Sequence, residues 1–169
     1  KLRTLSGWGR FPKIKTNELT PSSFDELLEI LNDQEGALIA RGNGRSYGDS
    51  SINKNLTITM TKLNKFIEWN GTKGELTAES GTLMSDIIDF CLPKGWFPYV
   101  SPGTKFATLG GCIASDVHGK EHHLEGCFSE NLVKFAKTLG LNQPINWLRV
   151  SNNNIYRVSQ RRTKASWVQ

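Results

Sequence analysis

The sequence predicts an α+β fold on three observations. A capped amphipathic helix begins near residue 24, several apolar runs have strand length, and a glycine-punctuated hairpin surrounds residue 71. Helices and strands do not alternate regularly, which argues against a doubly wound parallel sheet. The 169 residues fit one domain. Five Trp and eight Phe supply bulk for its core.

Thr20-Pro21-Ser22-Ser23 opens the first helix, and Ser23 with Glu26 has the spacing of a capping box. Phe24, Leu27, Leu28 and Leu31 recur at helical spacing and predict a buried face. The run from Asn32 to Gly36 stops this helix. Ala37 to Ala40 reads as a short buried strand and Leu56 to Met60 as the next. Phe66 to Trp69 and Glu75 to Glu79 form a hairpin across Asn70-Gly71 and Lys73-Gly74. Thr82 is placed to cap a second helix that runs through Leu92 and ends at Pro93.

The charge is unevenly spread. Residues 1–130 carry 14 Lys/Arg and all 16 Asp/Glu, whereas 131–169 carry seven Lys/Arg and no acid. A nucleic-acid footprint is normally a basic patch on a folded element; the excess here belongs to the tail, and no nucleic-acid partner is expected. No apolar run approaches the ~20 residues of a membrane helix. The first residues lack the apolar core of a signal peptide. Cys91, Cys112 and Cys127 have no C-x-x-C spacing, so neither a disulfide framework nor a zinc ribbon is indicated. The expectation is a soluble cytoplasmic chain with reduced thiols.

Two loops carry the chemistry. The first, Ala40-Arg41-Gly42-Asn43-Gly44-Arg45-Ser46-Tyr47-Gly48-Asp49-Ser50, interleaves three glycines with two arginines. Glycine lets backbone approach a ligand closely. Successive N–H groups form anion-binding concavities, and Arg adds charge-assisted hydrogen bonds. A surface turn collects the same residue types, so this loop alone leaves both readings open. Its G-x-G-x-x-x-G spacing departs from the dinucleotide fingerprint of nicotinamide domains. The second loop spans Ser101 to Phe128, with a turn signal at Pro102-Gly103-Thr104 and a hydroxyl beside paired glycines at Thr108-Leu109-Gly110-Gly111. His118, His122 and His123 invite a metal reading. No H-E-x-x-H exists, however, and Gly119 argues against a helix at His118, so no metal is expected.

Taken in order, the blocks Gly7-Trp8-Gly9-Arg10, Ala40 to Asp49, Pro102-Gly103-Thr104, Thr108 to Gly111 and Ser115 to His123 resemble the vanillyl-alcohol-oxidase-like superfamily. The resemblance is to its FAD-binding domain of PCMH type, built from two small α/β subdomains, and covers residues 7–130. It implies that Ala40 to Ser50 wrap the FAD diphosphate, and that Gly103, Thr108, Leu109, Gly110, Gly111, Ser115, Asp116, Val117 and His118 line the flavin. Lys120 lies beside that segment; with His118 it is the nearest catalytic candidate. Some relatives tether FAD through a His in the first loop. Arg45 stands there in this chain and cannot form that link, so non-covalent FAD is expected.

The resemblance further implies an oxidoreductase that transfers hydride from a sugar or other secondary alcohol to FAD. Within the superfamily the blocks are nearest to oxidases of a polyprenyl-phosphate-linked pentose, enzymes of the cytoplasm or the periphery of the inner membrane. These hand a keto product to a partner reductase. An aldonolactone- or alditol-type oxidase is the alternative. After about Asn131 the family pattern fails: its later glycine stretch and its substrate domain have no counterpart. Residues 131–169 are therefore expected to be a divergent, disordered or frame-shifted basic tail. A truncated, non-catalytic flavin-binding remnant is the remaining reading.

Overall fold

The computed structural model describes residues 1–133 apart from Gln34 and Glu121, so most of the basic stretch 131–169 lies outside the described residues. Four strands form a mixed sheet: β1 (Leu2–Leu5), β2 (Ile14–Leu19), β3 (Leu38–Arg41) and β4 (Leu56–Thr59), in the order β1-β2-β4-β3. β1 is antiparallel to β2, while β4 runs parallel to both β2 and β3. Helix α1 (Phe24–Asp33) packs Leu27 against Leu56, Ile58 and Leu63.

β1 and β2 are absent from the sequence reading, and β2 shows why. Its fully buried residue is Thr16, whose hydroxyl lies 3.2 Å from the buried Thr57 hydroxyl of β4. Two hydroxyls satisfy each other where an aliphatic pair would have signalled a strand.

The α1 cap is real but shared. Glu26 N–H donates to Ser23 Oγ at 3.2 Å, whereas the Glu26 carboxylate returns to Ser22 N at 2.6 Å. Those Ser22 bonds, backbone first, hold the Glu26 carboxyl below its ordinary value. Phe24 is 36% exposed, and Ile30 packs with Leu27 and Leu31 instead. β3 departs from the buried strand expected: it is the sheet's edge, and Ala40 is exposed.

A second core lies under the hairpin β5 (Phe66–Asn70) and β6 (Glu75–Ala78). Leu76 packs there with Met84 and Ile87 of α2 (Met84–Cys91), Leu109 and Cys112 of α3 (Leu109–Ala114), and Phe128. Thr82 is not the α2 cap. Leu83 takes that position, and the carbonyl of the fully buried Thr82 accepts from Leu109 N at 2.8 Å, joining the entries of α2 and α3. Past Cys91 a single 3-10 turn containing Pro93 ends at Gly95, with φ +76°. A short helix, α4 (His122–Glu125), follows α3. None of the three cysteines is in a disulfide, and burial pushes the Cys112 thiol up to about 12.

Glu18 ties the sheet together. Its carboxylate accepts from Thr59 Oγ1 at 2.6 Å and from Arg3 Nη1 at 3.0 Å. Burial pushes this carboxyl up, but those bonds and the charges of Arg3 and Arg41 outweigh it and hold the group below 4.5. A carboxyl depressed in the folded state adds stability above its unfolded pKa, and that stability is lost as pH falls through the folded pKa. Glu18→Gln should therefore be less stable at neutral pH and flatten the acid limb. Urea midpoints from about pH 6 to about pH 3 measure this; equal slopes for both proteins would refute it.

Candidate functional site

The first glycine loop leaves the edge strand β3 and is fastened on three sides. Arg41 points inward. Its Nη2 donates to Ser6 O at 2.7 Å and its Nη1 to Ser51 Oγ at 3.2 Å. Burial lowers the Arg41 guanidinium from its ordinary value, against the pull of Glu18, and it stays charged. Arg41 thus anchors the loop to the β1 end, a role invisible in sequence because Ser6 lies 35 residues away. Ser46 and Ser51 hydroxyls pair at 3.0 Å, and Ser50 Oγ donates to Tyr47 O at 3.0 Å.

The N-terminal block closes on this loop. Trp8 N–H donates to Ser46 O at 2.8 Å, and a Cβ at the buried Gly7 would sit 2.5 Å from Ser46 O and 2.6 Å from Gly48 O. Within the loop Gly44 and Gly48 take φ of +65° and +60°, the region that favours glycine.

The structure brings the two loops together. Asn43 Nδ2 donates to Phe106 O at 3.0 Å, and a Cβ on Gly42 would overlap Thr108 Oγ1. Thr108 is held in turn as the N-cap of α3, accepting from Gly111 N at 3.2 Å. At Gly110 the nearby space is taken by chain: a Cβ would lie 2.9 Å from Ser80 Cβ, and Gly110 N–H donates to Ser80 O at 2.8 Å. Gly48 and Gly103 face open space, with nothing within 4 Å of an added Cβ.

Arg45 occupies the meeting point. Its guanidinium carbon lies 4.8 Å from the Trp8 ring centre and 5.3 Å from that of Phe106. Its Nε is buried without a hydrogen-bond partner among the described residues. Such an orphan costs about 1–3 kcal/mol. Sequence reasoning singled out Arg45 and, within the Gly7-Trp8-Gly9-Arg10 block, Trp8, but gave neither ring a role beside the cation.

The segment Ser115 to Lys120 has local partners. Asp116, at φ +41°, accepts from Ser129 N at 2.8 Å; Val117 packs on the second core, and its carbonyl accepts from Phe128 N at 2.9 Å. Ser115, His118 and Lys120 are exposed. The His118 ring lies 5.0 Å from His122, which lies 3.9 Å from His123. Among the described residues no group of three or more His, Cys, Asp or Glu is placed to hold a metal ion. No helix among them is long and apolar enough to cross a membrane.

A mixed sheet and a hairpin core meet through two glycine loops, at Asn43 with Phe106 and at Gly42 with Thr108. A family profile described as FAD binding domain matches residues 19–139. The chain belongs to this family. It is 29% identical to decaprenylphosphoryl-β-D-ribose oxidase of Mycolicibacterium smegmatis, over 95% of this chain and 38% of that protein. Identity to D-lactate dehydrogenase of Anaerostipes hadrus is 25%, over 69% of this chain and 25% of that one. Among solved structures, an alkyldihydroxyacetonephosphate synthase superimposes with a TM-score of 0.65 at 17% identity, covering 86% of this chain and 30% of that one. The chain thus spans less than two fifths of these curated relatives.

The residues present fit FAD. The first loop offers positive-φ glycines with open space at Gly48, and the Arg45 guanidinium makes no hydrogen bond among the described residues. The second loop offers open space at Gly103.

Proposed function

We propose that residues 7–130 are the FAD-binding part of an oxidoreductase that oxidises a secondary alcohol. The observation that carries this reading is the junction of the two glycine loops, Asn43 on Phe106 and Gly42 against Thr108, within a chain of the FAD binding domain family. Backbone N–H groups from Gly42 to Ser50 and the Arg45 guanidinium would hold the diphosphate. Gly103, Thr108, Gly111 and Ser115 to His118 would line the flavin; Leu109, in the second core, and Gly110, closed against Ser80, would support that segment from behind. Bound FAD supplies a hydride acceptor.

The substrates named in the two curated relatives, a ribose derivative and D-lactate, both present a secondary carbinol. The more similar one supports the finer reading of a polyprenyl-phosphate pentose as substrate; its oxidation would give a keto product, for which a partner reductase is the proposed acceptor. His118 and Lys120, both exposed, would be the candidates to assist proton removal. Arg45 cannot make a histidyl link, which supports non-covalent attachment.

The test is direct. The chain purified with FAD should show flavin absorbance at close to one flavin per chain, and denaturation should release all of it. Flavin that stays on the denatured polypeptide would refute non-covalent attachment. A folded sample that takes up none would refute the binding itself.

A further inference from the structure

We infer that Trp8 and Phe106 are positioning residues that aim Arg45 at the cofactor's diphosphate, an inference that rests on the FAD-binding reading above. The three residues come from three separate parts of the chain and meet at one cation. Trp8 belongs to the N-terminal block, Arg45 to the first glycine loop and Phe106 to the turn before α3. Both ring centres lie within cation–π range of the guanidinium, at 4.8 Å and 5.3 Å.

The backbone of each aromatic residue is tied by a hydrogen bond to the loop it serves. Trp8 N–H donates to Ser46 O, one residue past Arg45, and Phe106 O accepts from Asn43 Nδ2, two residues before it. Core packing does not explain the two rings, which remain 50% and 45% exposed. An aromatic face stabilises a guanidinium without using its N–H donors. The rings can therefore hold the cation in place and leave its donors for a ligand. Arg45 makes no hydrogen bond among the described residues, and of its nitrogens Nε is the enclosed one, so the Nη groups keep their donors for a ligand. An anion whose oxygens accept from a planar fork satisfies those donors, and the diphosphate is the anionic part of FAD.

The test compares FAD, ADP and riboflavin on the full chain and on Trp8→Ala, Trp8→Phe and Phe106→Leu. ADP carries the diphosphate without the flavin ring, and riboflavin the ring without phosphate. Trp8→Ala and Phe106→Leu should each weaken FAD and ADP about tenfold, the size of a partly desolvated cation–π contact. Riboflavin binding should not change, and Trp8→Phe should recover most of the loss. The FAD and ADP contacts should also lose part of their salt dependence in the two disruptive variants. Equal affinities for FAD in all four proteins would overturn the inference, as would a loss shared equally by riboflavin. If Trp8→Ala fails to fold, Phe106→Leu decides alone. Failure of the unaltered chain to bind FAD would instead overturn the function proposed above, and this inference with it.

Discussion

Gly81→Ala is expected to lower the melting temperature by about 10 °C or more, a loss of roughly 3 kcal/mol at the upper end of overpacking costs. Gly81 lies between β6 and α2 and is fully enclosed. A Cβ there would overlap Met60 O and lie 2.7 Å from Leu63 O. Both obstacles are backbone carbonyls, which cannot swing aside as a side chain can. Gly81 N–H also donates to Leu63 O at 2.8 Å, so the close approach is already used by a hydrogen bond. Leu63 belongs to the core under the mixed sheet, and β6 and α2 build the core under the hairpin. Any shift at Gly81 is felt in both. Thermal unfolding followed by circular dichroism measures the effect; a midpoint within 2 °C of the unaltered chain would show that the two cores accommodate the methyl group, about the shift a surface change produces.

Local signals were legible in the sequence and long-range ones were not. The hairpin at residues 66–78 and helix α1 rest on turn chemistry, capping and periodicity within one segment, and both form where expected, α1 running on through Asn32 to Asp33. The error at Phe24 is also local in origin, because helical spacing marks a face without saying where its edge falls. β2 was missed because it buries a threonine pair, Thr16 with Thr57, 41 residues apart. Thr82 looks like a cap by its neighbours, yet the structure uses its carbonyl for Leu109.

The candidate site shows the same division. The glycines and arginines of residues 40–50 mark it by composition. Their individual duties depend on partners elsewhere: Arg41 on Ser6, Arg45 on Trp8 and Phe106, Asn43 on Phe106. Gly110 is the sharpest case. Its place in the second loop suggests room for a ligand, whereas the nearby backbone and side chain belong to Ser80.

Gly7→Ala is expected to weaken FAD binding by about a hundredfold, near 3 kcal/mol, while costing the fold much less than Gly81→Ala. The added methyl would lie 2.5 Å from Ser46 O and 2.6 Å from Gly48 O. Those two carbonyls belong to the glycine loop itself, so relief requires the N-terminal block to move away from it. That movement breaks the 2.8 Å bond from Trp8 N to Ser46 O and withdraws the Trp8 ring from Arg45. Neither core cluster contains a residue of this block, which is why the damage should fall on ligand binding. Gly9→Ala is the matched control, since nothing lies within 4 Å of a Cβ at Gly9. Flavin fluorescence titration of the two variants separates the contact from the mere loss of a glycine. Equal affinities for Gly7→Ala and Gly9→Ala would mean that the block does not hold the loop in its binding shape, and a melting point for Gly7→Ala as low as that of Gly81→Ala would make its contact a matter of folding.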